Sequence, residues 1–190
     1  MDLIAYGDES VRRTELAEPA YILGAWVRDE EGADLADQLA VHAPEGGKLH
    51  WRDHVPRMKH EVCQMIAAAG ARHLVVVAKP LPERGGEERA RQRALSMLCH
   101  VLEQDYDVRA LVLERRQRQQ DQKDQQTVNA ARKGRVLSQG FRLTHEFGRS
   151  ERRLWVPDQV VGALGDHLAG QDTGWLMMKD LVRVEEVVAQ

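Results

Sequence analysis

Leu74-Val75-Val76-Val77 is apolar at four successive positions, between His73 and Ala78. Side chains on a strand alternate between its two faces, so such a run needs apolar cover on both sides of its sheet. A layered α/β domain supplies that cover with helices. Residues 2–8 and 20–28 read as paired strands, the second being the β-rich Ala20-Tyr21-Ile22-Leu23-Gly24-Ala25-Trp26-Val27-Arg28, and Val108 to Leu113 reads as another. Helical spacing appears between them. Pro56 suits a first helical turn, Val62, Met65, Ile66 and Ala69 share one face, and Gly70 ends the helix. Ala94, Leu95, Leu98, Val101 and Leu102 mark a second helix within 87–104, and Val160, Val161, Leu164 and Leu168 a third. Residues 33–41 form a short helix that Pro44-Glu45-Gly46-Gly47 breaks, and Leu154 to Val156 is expected as a last short strand. Gln117 to Gln139 is so polar that only Val128, Ala131, Val136 and Leu137 can anchor it, either as an exposed helix or as a mobile segment. The expected fold is α/β, a mixed sheet that opens on a hairpin and carries helices on both faces.

A chain of 190 residues with 43% hydrophobic content can bury one substantial core. Residues 1–170 are expected to form that domain. The tail 171–190, with Trp175, Leu176, Met177, Met178 and Val182-Arg183-Val184, is apolar enough to dock on the domain or on a second copy as a homodimer. No apolar run approaches the roughly 18 residues of a membrane span, and acids in the first twenty residues oppose a secretory leader, so a cytoplasmic protein without membrane contact is expected. Cys63 and Cys99, each inside an apolar helix-like segment, read as buried thiols. The formal charge of -3 argues against duplex binding through a bulk basic field. Arginine patches at 84, 89, 91 and 93, at 109, 115, 116 and 118, and at 142, 149, 152 and 153 can still meet phosphates, although solvated helix faces look the same.

Acids end several of these apolar elements. Leu3-Ile4-Ala5-Tyr6-Gly7-Asp8-Glu9-Ser10 delivers Asp8 and Glu9 to what reads as a strand end, Glu114 closes Val108-Arg109-Ala110-Leu111-Val112-Leu113, and Asp158 follows Leu154-Trp155-Val156-Pro157 at a helix mouth. Each has an ordinary alternative: a turn acid, a surface ion pair, or an acid favoured by a helix's positive end. Together they suggest a shared cation, because carboxylates brought close repel unless one neutralises them. Magnesium or manganese accepts such hard oxygen ligands. With two ions, one activates an attacking water and the other stabilises the leaving oxygen. Alternation along a strand keeps Asp8 and Glu9 from facing one site unless a turn begins at Ser10. In the compact stretch Lys48-Leu49-His50-Trp51-Arg52-Asp53-His54, His50 is the candidate general acid or water-positioning group, Trp51 a base-stacking group or a core plug, and Arg52 a phosphate clamp. Arg116 is a candidate for countering transition-state charge and Asp124 for approaching the cation. Zinc is a weaker reading, since His50, His54, His60, Cys63, Cys99 and His100 match no finger or metalloprotease spacing. Neither a P-loop nor a serine-hydrolase elbow is present.

Four landmarks in order, Tyr6-Gly7-Asp8-Glu9-Ser10, Leu49-His50-Trp51-Arg52-Asp53, Leu113-Glu114-Arg115-Arg116 and Leu154-Trp155-Val156-Pro157-Asp158-Gln159-Val160-Val161-Gly162-Ala163, give the chain a resemblance. Over most of residues 2–165 it resembles the ribonuclease-H-like family of uncharacterised proteins that open with a strand ending in Asp-Glu-Ser, in an actinobacterial-looking branch. The resemblance implies a ribonuclease-H-like fold and a magnesium- or manganese-dependent nuclease acting on nucleic acid. It also implies that Asp8 is the bridging ligand, Glu114 a second from a neighbouring strand and Asp158 a third from the final helix, with Glu9 and Asp124 as further candidate ligands. The chain departs from the better-known arrangement by showing two early strands rather than three and no acid after the strand at 73–78. A non-catalytic module that binds nucleic acid or a protein with the same fold is the competing expectation, and a small phosphodiester is the competing substrate.

Overall fold

The computed structural model describes residues 3–28, 35–171 and 173–189. Six strands form one sheet: β1 (Leu3–Arg12), β2 (Ala20–Arg28), β3 (Arg72–Lys79), β4 (Val108–Glu114), β5 (Arg142–Glu146) and β6 (Val182–Val188), in spatial order β5-β4-β1-β2-β3-β6. β1, β2 and β3 run antiparallel in succession, while β4 lies parallel to β1, β5 parallel to β4 and β6 parallel to β3. The sheet is therefore mixed, as expected. Six α-helices accompany it: α1 (Leu35–Leu39), α2 (Pro56–Ala69), α3 (Glu87–Tyr106), α4 (Arg118–Lys133), α5 (Trp155–Leu168) and α6 (Trp175–Met178).

Each face of the sheet has its own core. Leu23, Ala25, Leu74, Val76, Leu111 and Leu113 pack under α3 and α4 with Leu95, Leu98 and Val128. Ile22, Trp26, Val75 and Val77 pack under α2 and α5 with Val62, Ile66, Val160 and Leu164. The run Leu74–Val77 thus divides between the two cores, and every one of its residues is buried. α5 packs closely over Gly24, where any Cβ would run into Val161. α2 begins with Pro56 in its first turn and ends at Gly70 in the left-handed conformation, the stop that its sequence dictates.

Several expectations need correction. β1 continues to Arg12, because all nine residues from Ile4 to Arg12 pair with β2, so Asp8 lies inside the strand and no turn begins at Ser10. No strand forms at 154–156; a 3-10 turn at Arg152–Leu154 leads directly into α5. The third antiparallel strand exists as β3, displaced along the chain by α1 and α2. The polar stretch after Gln117 is an ordered helix anchored by buried Val128 and Asp124, while Val136 is exposed. The short helix occupies 35–39 of the expected 33–41, with residues 33–34 outside the described set. The tail carries β6, which pairs parallel with β3 at the edge of the sheet. Both thiols are buried, and burial pushes the Cys63 thiol up to about 12. Among the described residues no helix is long and apolar enough to cross a membrane.

Candidate functional site

β1 and β4 are parallel neighbours, with Gly7 beside Leu113. One residue further along each strand come Asp8 and Glu114, on the face covered by α5. Asp158, in the first turn of α5, completes a group of three carboxylates that line one pocket of about 440 Å³ with Lys48, His50, Arg12 and Glu15. That volume lies within the usual range of small-ligand pockets. Three acids spread over 150 positions of the sequence therefore line one cavity, although their oxygens do not all lie within 4.8 Å of one another.

Local chemistry fixes each of them. Asp8 is 7% exposed; its Oδ1 accepts the Glu9 backbone N–H at 2.8 Å, and its Oδ2 faces the Lys48 ammonium at 3.2 Å. The same ammonium bonds Oε2 of Glu114. Glu114 lies against the backbone of Gly148, where a Cβ would collide with its carboxylate. Gly148 is in turn held by its carbonyl, which accepts the Trp155 indole N–H at 2.6 Å. Asp158 Oδ2 accepts from the Trp51 backbone N–H at 2.8 Å and from Gln159 Nε2 at 2.9 Å, while its Oδ1 faces His50 Nδ1 at 4.0 Å. Gln159 also reaches the Leu49 carbonyl and His54, so it ties the 49–54 stretch to α5.

The electrostatics of the pocket are unbalanced. Burial pushes the Asp8 carboxyl well above the usual range, and neighbouring Asp158 and Glu114 add to this, against Lys48. Burial opposes the charge on Lys48, but Asp8 and Glu114 outweigh it and raise its pKa. Three carboxylates share one ammonium, and the surplus negative charge is what a divalent cation would offset. The donors are hard oxygens, which fit magnesium or manganese better than softer metals.

Other candidates fall elsewhere. Glu9 borders the pocket but points to the opposite face and pairs with Arg91 of α3, as strand alternation requires, so it does not join the Asp8 group. Trp51 is 3% exposed, lies over Gly162 of α5 and donates its indole N–H to Asp166 at 2.9 Å; it is the core plug and offers no free ring to a base. Arg52 stands at the pocket rim with an exposed side chain. Arg116 and Asp124 belong to a second polar cluster under α3 and α4. There Arg91 grips Asp124 through two hydrogen bonds of 2.8 Å, joined by Arg116 at 3.1 Å and His145 at 2.9 Å. Asp121, Asp124 and His145 place ligand atoms within 4.8 Å of one another, a compact set for an ion. Two guanidiniums already neutralise Asp124, however, and a further cation would meet their charge. Burial raises the Asp124 pKa, but the bonds from Arg91 and His145 override it and hold the carboxyl low. Neither Arg116 nor Asp124 therefore serves the Asp8 pocket.

One participant, Lys48, and one exposed neighbour, Phe147, escape a sequence reading. Lys48 stands beside the His50-Trp51-Arg52 stretch, yet nothing in its spacing reveals that its ammonium bridges two distant acids. Phe147 follows β5 and is 59% exposed, with the Arg115 guanidinium 4.6 Å from its ring centre. It flanks Gly148 and hence Glu114; a lone aromatic after a polar segment is the one signal the sequence carries. No protein-family model matches the chain, and no curated protein matches it.

Proposed function

We propose that the chain is a ribonuclease-H-like, magnesium- or manganese-dependent nuclease that hydrolyses a phosphodiester in the Asp8 pocket. The observation that carries this reading is the convergence of Asp8, Glu114 and Asp158 from β1, β4 and α5 on one cavity, with more carboxylate charge than its lysine balances. The mixed sheet supports the fold reading, with three antiparallel strands followed by parallel β4 and β5. The bound cation would activate a water for attack and offset charge on the departing oxygen. Asp8, Glu114 and Asp158 would hold it. His50, half-buried beside Asp158, is placed to orient that water or to move a proton at its ring nitrogen. Arg52 at the rim can meet a phosphate, and the Phe147–Arg115 pair beside Glu114 offers an aromatic face to a base.

Lys48 favours a second reading, since an ammonium that already bridges Asp8 and Glu114 suits a non-catalytic module that binds nucleic acid or a protein without metal. Manganese titration followed by thermal melting separates the two. The nuclease reading expects stabilisation of the wild type, none of Asp8→Asn, and metal-dependent cleavage of an oligonucleotide that Asp8→Asn lacks. A wild type indifferent to manganese overturns it and favours the module. Turnover of a simple aryl phosphodiester without cleavage of oligonucleotides moves the substrate to a small molecule.

A further inference from the structure

We propose that Lys48 stands in place of a second metal ion, so that the pocket takes a single divalent cation and works with an ammonium beside it. The inference rests on the metal-dependent reading above and specifies its stoichiometry. A two-ion hydrolytic centre needs anionic ligands shared between both cations. In this pocket one such position is already taken: the Lys48 ammonium lies 3.2 Å from Asp8 Oδ2 and bonds Oε2 of Glu114, bridging the acids of neighbouring strands.

The ammonium is not a loose surface charge. The Lys48 side chain is 7% exposed, less than that of Glu114. Its backbone is held from the C-terminal side by Leu49, 1% exposed, and by Trp51, whose backbone N–H is bound to Asp158. Its stem packs beside Gly148, the residue against which Glu114 rests. Withdrawing the side chain would therefore vacate space between two acids and strip a largely buried cation of both partners, which is costly.

Charge points the same way. Asp8, Glu114 and Asp158 carry three negative charges when ionised; Lys48 supplies one positive charge and one divalent ion supplies the other two. A second divalent ion would leave the protein ligands overcharged before any phosphate arrived. The oxygen best placed for the metal is Oδ1 of Asp158, since both described hydrogen bonds of that carboxylate end on Oδ2.

Manganese binding to the full chain, without nucleic acid, tests this by calorimetric stoichiometry together with electron paramagnetic resonance, in which two ions in one pocket couple magnetically and a single ion does not. The wild type is expected to bind one manganese with an uncoupled spectrum, and Asp121→Asn, in the second polar cluster, to keep that stoichiometry. Asp8→Asn is expected to bind none. Lys48→Met, which keeps the stem and removes the charge, is expected to admit a second, coupled ion, with Lys48→Gln as the alternative should the methionine variant not fold. A coupled pair in the wild type overturns the inference while leaving the metal reading intact. A single ion in wild type and in the folded lysine variants also overturns it, because Lys48 then excludes nothing. No binding by the wild type, or binding unaffected by Asp8→Asn, removes the metal reading and this inference with it.

Discussion

Acidification below pH 6.5 is expected to weaken the fold through His73. This residue sits in β3 opposite Trp26 and beside Val182, is 1% exposed, and has no hydrogen-bond partner at either ring nitrogen. Burial alone lowers its pKa from 6.5 to about 3. Between those values the unfolded chain binds a proton that the native state refuses, so stability rises with pH there, is fully present above pH 6.5 and is lost progressively below it. From pH 6.5 to pH 4 the loss is about 1.4 kcal/mol per unit, or roughly 3 kcal/mol in all. That is a large part of the ~5–15 kcal/mol that a domain usually possesses. The perturbation is His73→Leu, which removes the titrating ring and the unsatisfied nitrogens together while filling similar space. Urea unfolding followed by tryptophan fluorescence at pH 7 and pH 4 gives the comparison. The variant is expected to equal or exceed the wild type at pH 7 and to lead it by about 3 kcal/mol more at pH 4. Parallel losses in the two proteins would refute the reasoning, since they would mean that the imidazole reaches water or a partner in the native state.

Asp8→Asn removes a carboxylate that burial, Asp158 and Glu114 all disfavour, so in chelator near neutral pH it is expected to raise the melting temperature by about 2–4 °C, some 1 kcal/mol for a domain of this size; a lower melting temperature contradicts this. Gly148→Ala pushes the Glu114 carboxylate aside, and a fall of about tenfold or more in manganese affinity, with little change in melting temperature, is the expected result of calorimetry and melting. Arg91→Met removes two of the bonds to the wholly buried Asp124 and leaves it Arg116 and His145, so it should cost about 1–3 kcal/mol in urea unfolding. Phe147→Ala, read by fluorescence anisotropy with a labelled single-stranded oligonucleotide, is expected to weaken binding about 5- to 100-fold, the range of one lost base–aromatic stack.

Much of the fold was legible because burial on both faces leaves a strong mark. Leu74–Val77, Ala20–Val27 and Val108–Leu113 are apolar enough to declare strands, and Pro56 with Gly70 brackets α2 closely. β5 was missed because Arg142, Thr144 and Glu146 are polar and only Leu143 and His145 turn inward, the pattern of an edge strand carrying little apolar signal. β6 is similar: Val182 is buried while Arg183, Val184 and Glu186 face outward. Leu154-Trp155-Val156 misled because a buried helix start and a buried strand look alike over three residues. The acids of the site were legible from their place at the ends of apolar runs. Lys48 was not, because its meaning depends on a contact with residues 40 and 66 positions away.

β1 shows why some of its charges are structural and others are available for chemistry. Alternation sends Glu9 toward α3, where Arg91, Asp124, Arg116, His145 and Tyr21 form a network in which each acid has guanidinium partners. Arg12, on the other face, meets Asp166, which also receives Lys59 and the Trp51 indole and is likewise matched. Asp8 faces that same side but stands with Glu114 and Asp158 around one lysine. A fold that pairs its buried acids in two places has the means to do so in a third. The pocket's uncompensated charge is therefore what separates it from its neighbours, since a buried carboxylate left short of partners costs stability unless a ligand offsets it. The same argument ranks the compact Asp121–Asp124–His145 set below the Asp8 pocket as a metal site: closeness of ligand atoms matters less than whether their charge has already been neutralised.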